Sequence, residues 1–311
     1  GAPAGRRRKK RVPVPCDPVN HPVVAAWNAI APAATPIDRV ELLRARKKTQ
    51  IYRLAPAEGT TGVIAKRRLT EALLVERTIY EGVLPRLPLA GLHYFGFVDD
   101  EEEGFAWLFI EDAGDDRCAM AQHRRPVAQW LGTLHGAAAG LHLESRLPER
   151  GPDHYLEHLR AARTTILDNF DNPALRADDR DMLRSLVWTC ELIESGWSGV
   201  EAICRDLPRT LVHGDLADRH LRLRPSAAGP AIVALDWECS GWGVPAADIH
   251  LLVSGATRRA LSSYRSAISE YVGRLDDDQL QALLLVGKGF RLLATVHWAS
   301  LHLPHARPEE G

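Results

Sequence analysis

One stretch constrains this chain more than any other: Thr210-Leu-Val-His213-Gly-Asp215-Leu-Ala-Asp-Arg-His220-Leu-Arg-Leu, then a Pro/Ser/Gly turn, then Ala231-Ile-Val-Ala-Leu-Asp236-Trp-Glu238. It sets a strand pair rich in aliphatic residues into a part of the sequence that otherwise reads as helix. Pairing Leu221 with Leu235 places His220 opposite Asp236, about 5 Å apart at the backbone. Asp215 lies five residues before His220, on the loop entering the first strand, where Gly214 permits a tight path. Two carboxylates and an imidazole then ring one small space. Such a set suits activation of a hydroxyl beside a cation that neutralises phosphate oxygens. Taken singly, Asp215 reads as a turn cap, His213 as a core histidine and Asp236 as a strand end; only their conjunction points to a site.

The flanking sequence divides into two characters. Residues 40–43, 51–54 and 62–66 alternate as short strands, with a turn at Glu58 and Gly59, and a helix is expected over 70–84 with Thr70 as its cap. Apolar segments over 94–98 and 106–110 complete a small antiparallel sheet. After Glu111-Asp112-Ala113-Gly114-Asp115 the pattern becomes amphipathic helix, over 127–142, 155–169, 177–194, 247–252, 258–272 and 278–302. The fold class is therefore α+β, with an extension over 1–38, a β-rich lobe over 39–112 and a helical lobe over 113–311.

Composition narrows the function. With 311 residues, 45% of them hydrophobic, the chain can bury a large core. Lys plus Arg total 39 against 40 for Asp plus Glu, which argues against a nucleic-acid or membrane-surface binder. The basic run over 6–11 reads as a solvated tail. Five cysteines without a CxxC pair suggest neither a disulfide framework nor a zinc ribbon. No apolar run reaches membrane-spanning length and no signal core is present, so a cytoplasmic protein is expected.

The His213-x-Asp215 loop followed by Asp236 resembles the catalytic loop and metal-binding motif of the aminoglycoside phosphotransferase-like kinases, a superfamily that includes choline kinases. The Gly243-Val-Pro-Ala-Ala-Asp248 run and the stretch over 76–87 resemble the same superfamily. The resemblance implies a two-lobed, protein-kinase-like fold using ATP, or another nucleoside triphosphate, with Mg2+ or Mn2+ to phosphorylate a hydroxylated small molecule. It further implies that Asp215 is the catalytic base, that His213 braces the loop, that Asp236 holds the metal, and that Asp248 supports the loop from a helix start. His220 stands where the family has an asparagine that binds the second metal, so it is either a metal ligand, a contact to phosphate, or the mark of a weakened site.

A kinase also needs a lysine on the nucleotide phosphates and an acid to orient it. Alternation puts Ile64 and Lys66 on one strand face, the first to roof the adenine and the second to reach the phosphates. Glu76 falls on the apolar stripe of the following helix and wants a cationic partner, for which Lys66 is the natural candidate. Main-chain groups of Glu111 and Ala113 are expected to read the adenine edge. No GxGxxG precedes them; Lys47-Lys48-Thr49-Gln50 occupies that place.

Two rival readings follow from the same residues: a metal-dependent hydrolase using His213, Asp215, His220 and Asp236 as ligands, and a kinase-like module without turnover. The acceptor is open. Acidic residues Asp168, Asp171, Asp178, Asp179 and Glu194 fit an amine-bearing substrate, and Trp237, Trp242 and Trp298 are available to stack a sugar, a nucleoside or a choline-like cation.

Overall fold

Period-two alternation decides the first sheet. In the computed structural model, which describes residues 14–31, 36–56, 61–226, 229–253 and 258–306, β1 (Val14–Cys16), α1 (Pro22–Asn28), β2 (Ile37–Arg46), β3 (Thr49–Pro56), β4 (Val63–Leu69), α2 (Thr70–Thr78), β5 (Tyr94–Asp99) and β6 (Phe105–Glu111) follow in order. The basic run over 6–11 and the turn at Glu58 and Gly59 lie outside the described residues. The six strands pair antiparallel in the order β1-β2-β3-β4-β6-β5. Val63 and Ala65 face a core with Val40, Tyr52, Leu54, Trp107, Phe109 and the α1 residues Val23 and Trp27. The next residues along β4, Ile64 and Lys66, therefore take the opposite face.

Two elements here escape periodicity. β1 and α1 are three and seven residues long, too short for a repeat to register, yet β1 pairs with β2 from Val14↔Leu42 to Cys16↔Val40 and α1 buries Trp27 against Phe109. The helix expected over 70–84 is α-helical only to Thr78; Ile79–Val83 is a π turn and Leu84–Arg86 a 3-10 turn, and Ile79, Tyr80 and Val83 are all buried there.

The remaining elements are α3 (Met120–Ala139), β7 (Glu149–Arg150), α4 (Pro152–Asp168), α5 (Ala177–Ser195), α6 (Trp197–Arg205), β8 (Thr210–Val212), β9 (Leu221–Arg224), β10 (Ala231–Ala234), β11 (Gly241–Gly243), α7 (Ala246–Val253), α8 (Arg258–Val272) and α9 (Asp277–Ser300). By contact the chain forms two compact units: Gly1–Arg86 with Ala90–Asp116 and Arg222–Ala234, and Leu87–Leu89 with Arg117–Leu221 and Leu235–Gly311. Most of the β9–β10 hairpin thus groups with the sheet. α3 starts before its expected residue 127, kinked at His123 upstream of Pro126, which lacks the N–H that a helix interior needs. β11 joins β7 in parallel and β8 antiparallel, a small sheet that fixes the chain just before His213.

The expectation that no segment reaches membrane-spanning length needs one correction. By length and composition, residues 277–305, which include α9, qualify. Its apolar residues Leu280, Leu283, Val286, Phe290 and Leu293 are nonetheless buried inside the helical unit, where α9 packs on α4 and α7. Arg291 interrupts it one residue past Phe290, while Leu285 and Leu292 lie exposed on its outer side.

The α7–α9 contact depends on Gly287, where an added Cβ would stand 2.5 Å from the Ala246 carbonyl oxygen and 2.8 Å from Ile249 Cγ2. Backbone cannot retreat as a flexible side chain does, so Gly287→Ala is expected to destabilise the protein by about 1–3 kcal/mol. A lowered urea midpoint with an unchanged slope checks this, and an unchanged midpoint contradicts the close approach.

Candidate active site

In the sheet unit, β4 presents Lys66 and α2 presents Glu76, and the two meet: Lys66 Nζ donates to Glu76 Oε1 at 2.5 Å. Both side chains are buried, Glu76 completely. Burial in low dielectric makes each charge dependent on the other, since an unpaired one would cost several kcal/mol. Among the described residues Glu76 Oε2 has no hydrogen-bond partner. Ile64 lies on the Lys66 face of β4, half-buried.

Glu111 ends β6. Its N–H donates to the His93 carbonyl at 2.8 Å, while the His93 N–H goes to the Glu111 side chain, so that pairing does not consume the Glu111 carbonyl. Both carboxylate oxygens of Glu111 receive Arg224 of β9, at 2.6 and 2.8 Å, a bidentate pair that ties the hairpin to the end of the sheet. The following segment is pinned by Arg53 to Asp112 at 2.6 Å and by Leu223 N–H to the Asp116 carbonyl at 2.9 Å. Ala113 lies between these anchors, and its N–H has no partner among the described residues.

In the helical unit, one buried carboxylate organises the loop after β8. Asp248, in the first turn of α7, accepts the backbone N–H of His213 at 2.7 Å and of Gly214 at 2.9 Å. His135 Nε2 of α3 donates to it at 3.3 Å, and the His135 Nδ1 lies 3.0 Å from the Tyr264 hydroxyl of α8. Burial alone pushes the Asp248 carboxyl up; the His135 hydrogen bond and charge, then His213, outweigh it and hold Asp248 below its ordinary value. Gly214 has φ +78°, and a Cβ there would stand 2.4 Å from the Cys239 carbonyl oxygen, so only glycine allows the loop this path.

The loop turns back on itself through three groups. His213 Nε2 donates to the Leu235 carbonyl at 2.9 Å, tying the loop to the residue before Asp236. His220 Nδ1 lies 2.9 Å from the Asp215 carbonyl; a carbonyl only accepts, so Nδ1 carries the proton. Burial, with His213 stacked 5.6 Å away, keeps the His220 ring well below its ordinary pKa despite Asp236. The neutral ring then turns its Nε2 lone pair towards Asp236 Oδ2, 3.6 Å away. Asp236 itself is left-handed, φ 67° and ψ 57°, which is strained for a residue with a Cβ and aims its carboxylate back at His220.

Asp215 is gripped on both oxygens. Arg219 Nη2 donates to Oδ2 at 2.5 Å and Arg291 Nη1 of α9 donates to Oδ1 at 3.0 Å. Sequence reading missed both arginines and His135. Arg219 carries a weak signal, four residues after Asp215; Arg291 and His135 carry none, lying 76 and 80 residues from it along the chain.

Of the expected site residues, the structure brings Lys66 to Glu76 in one unit, and His213, Asp215, His220 and Asp236 together in the other. Nε2 of His220 and the carboxylate of Asp236 are a nitrogen and an oxygen donor that would hold a divalent cation together, a pair better suited to manganese, iron or zinc than to magnesium. A hydrolase centre on all four residues does not form. Among the described residues no group of three or more His, Cys, Asp or Glu gathers to hold a metal ion; the His213 Nε2–H is given to the Leu235 carbonyl, and Arg219 and Arg291 each hold one oxygen of the Asp215 carboxylate. The acidic residues offered for an amine are partly consumed, Glu194 by Arg160 and Arg163, Asp179 by the Arg176 N–H. Trp237 and Trp242 are buried, while Trp298 stacks beneath the Arg291 guanidinium.

Comparison with known proteins agrees with this organisation. The fold resembles spectinomycin phosphotransferase in complex with ADP and spectinomycin, at TM-score 0.59 and 10% identity over 92% of this chain and 89% of that one. It also resembles a choline kinase from Cryptosporidium parvum Iowa II, at TM-score 0.60 and 12% identity over 91% and 87%. A third likeness is to the GDP complex of an aminoglycoside 2'-phosphotransferase, at TM-score 0.59 and 13% identity over 91% and 96%. The chain thus has the two-lobed, protein-kinase-like fold. No curated protein matches its sequence at a significant level. The family model described as the phosphotransferase enzyme family matches residues 68–283, more than half the chain, and the chain belongs to that family.

Proposed function

We propose that this protein is an ATP-dependent small-molecule kinase, with Asp215 as the residue that receives the proton of the acceptor hydroxyl. The observation that carries the reading is the Asp248 carboxylate holding the His213 and Gly214 N–H groups, so that the backbone delivering Asp215 is fixed. Lys66, oriented by Glu76, holds the nucleotide phosphates in this reading, and Ile64 roofs the base. Glu111 and Ala113 offer a carbonyl and an N–H to the adenine edge. Complexes of the similar phosphotransferases with ADP and GDP support nucleotide use, and leave the choice of base to experiment. Acceptors named for the similar proteins include spectinomycin and choline, so aminoglycoside, other antibiotic, sugar, nucleoside and amino-alcohol hydroxyls form the panel to screen.

Asp236 and His220 would hold the divalent cation, which supplies neutralisation of phosphate charge when bound. The other steps belong to the chain's residues. Asp215 accepts the hydroxyl proton as the acceptor oxygen bonds to phosphorus and the bond to ADP breaks. Lys66 offsets charge on the phosphates it touches, and His213 keeps the loop and the Asp236 turn at a fixed separation.

Asp215→Ala is expected to lower phosphoryl transfer by about 10²–10⁴-fold while ATP affinity, measured calorimetrically, stays within about twofold; retained turnover would remove Asp215 from this role. Lys66→Ala leaves a buried Glu76 without its cation and should cost about 3–5 kcal/mol of stability. The double variant Lys66→Met with Glu76→Gln should recover the stability but not the ATP affinity, and recovery of both would make the pair purely structural. For the metal, pulsed EPR of the Mn2+ and ADP complex should show nitrogen coupling that His220→Leu abolishes. A wild-type spectrum without nitrogen coupling counts against His220 as a ligand.

A further inference from the structure

Asp248 fixes the backbone of the loop but touches nothing of the Asp215 side chain, whose rotamer is set elsewhere. Its carboxylate is held on Oδ2 by Arg219, from the 3-10 turn Asp218–His220, and on Oδ1 by Arg291. Arg291 is the better fixed of the two. Its guanidinium lies 5.5 Å over the Trp298 ring, two turns along α9, and its side chain is 32% exposed against 53% for Arg219. The neighbouring residue, Phe290, is stacked on Tyr155 of α4 with centroids 3.9 Å apart. One turn earlier, Gly287 brings α9 against the Ala246 carbonyl of α7, the helix that carries Asp248. The backbone and the carboxylate of Asp215 are thus referred to the same packed helix pair, the first through Asp248 and the second through Arg291.

We propose that Arg291 is a positioning residue that fixes the rotamer of the Asp215 carboxylate for the incoming hydroxyl, with Arg219 as the second jaw of the clamp. The inference rests on the reading of Asp215 as the proton acceptor. A carboxylate has about four lone-pair sites, so two guanidinium contacts leave room for an acceptor O–H. In phosphoryl transfer the protein contributes chiefly placement, and displacement of a reacting group by about 1 Å can cost about 10²-fold in rate. A clamp that immobilises the carboxylate therefore acts on kcat rather than on nucleotide binding.

The test uses the full chain with ATP and Mn2+, reading ADP release with water as acceptor and, alongside it, with the hydroxylated panel. Arg291→Ala should lower kcat by about 10²-fold with KM for ATP changed less than about twofold. Arg291→Lys should recover part of the loss, and added guanidinium ion should raise the rate of Arg291→Ala but not of wild type or Asp215→Ala. A crystal structure of Arg291→Ala should show the Asp215 carboxylate rotated away from its wild-type position. The proposal is overturned if kcat stays within about twofold of wild type, if KM for ATP rises in step with the loss, or if the carboxylate keeps its rotamer on Arg219 alone. Should Arg291→Ala not fold, Arg291→Lys and Arg291→Gln carry the same comparison. Asp215→Asn separates the two ideas. If it abolishes turnover while Arg291→Ala is silent, the positioning role alone fails; if it retains full turnover, the assignment of Asp215 fails and the positioning role with it.

Discussion

The helical unit depends on a single fully buried carboxylate. Asp248 is charged in an environment that opposes charge, and what makes this tolerable is the count of donors around it: two backbone N–H groups from the loop and the Nε2–H of His135. Each donor that satisfies Asp248 is in turn located by it. The loop after β8 has no ladder of its own beyond Val212, so Asp248, with the His213–Leu235 and His220–Asp215 hydrogen bonds, sets its path. His135 is itself held by Tyr264 and so links α3 to α8, while Asp248 sits on α7. A hydrophobic core would hold the same helices together, but it would not specify which backbone amides point inwards.

The sheet unit is organised by the same principle at two other places. Lys66 and Glu76 form a buried pair, while neighbouring charges on the same two elements are satisfied elsewhere. Arg67 lies on the opposite face of β4, satisfied by Asp100 and Glu102, and Glu81 pairs with Arg77 along its own helix. At the end of β6, Glu111 is neutralised by Arg224, which secures the β9–β10 hairpin to the sheet rather than to the helices. These pairs cost desolvation, and their gain is in geometry: each fixes one side chain relative to an element far away in sequence.

Much of this organisation was legible before any coordinates. Alternation located the central strands and the face of Lys66, helical periodicity put Glu76 on the buried stripe, and the His213, Asp215 and Asp236 spacing marked the loop. The misses have physical causes. β1, α1 and β11 are too short for a period to emerge, and the amphipathic repeat of α3 is clear only from residue 127, past the kink at His123. Residues 277–305 are long and apolar enough for a membrane span because a core helix and a spanning helix share apolar content.

Sequence alone determined the family resemblance, the two contrasting characters of the chain and the candidate residues of the site, because periodicity and residue type are local properties. Tertiary structure decided the rest: that His220 gives Nδ1 to the Asp215 carbonyl and turns Nε2 towards Asp236, that Asp215 is clamped by Arg219 and Arg291, and that Asp248 holds the loop backbone. Those are statements about which distant groups share a few ångströms of low-dielectric space, where a proton's position and a carboxylate's rotamer are set by neighbours that sequence distance does not reveal.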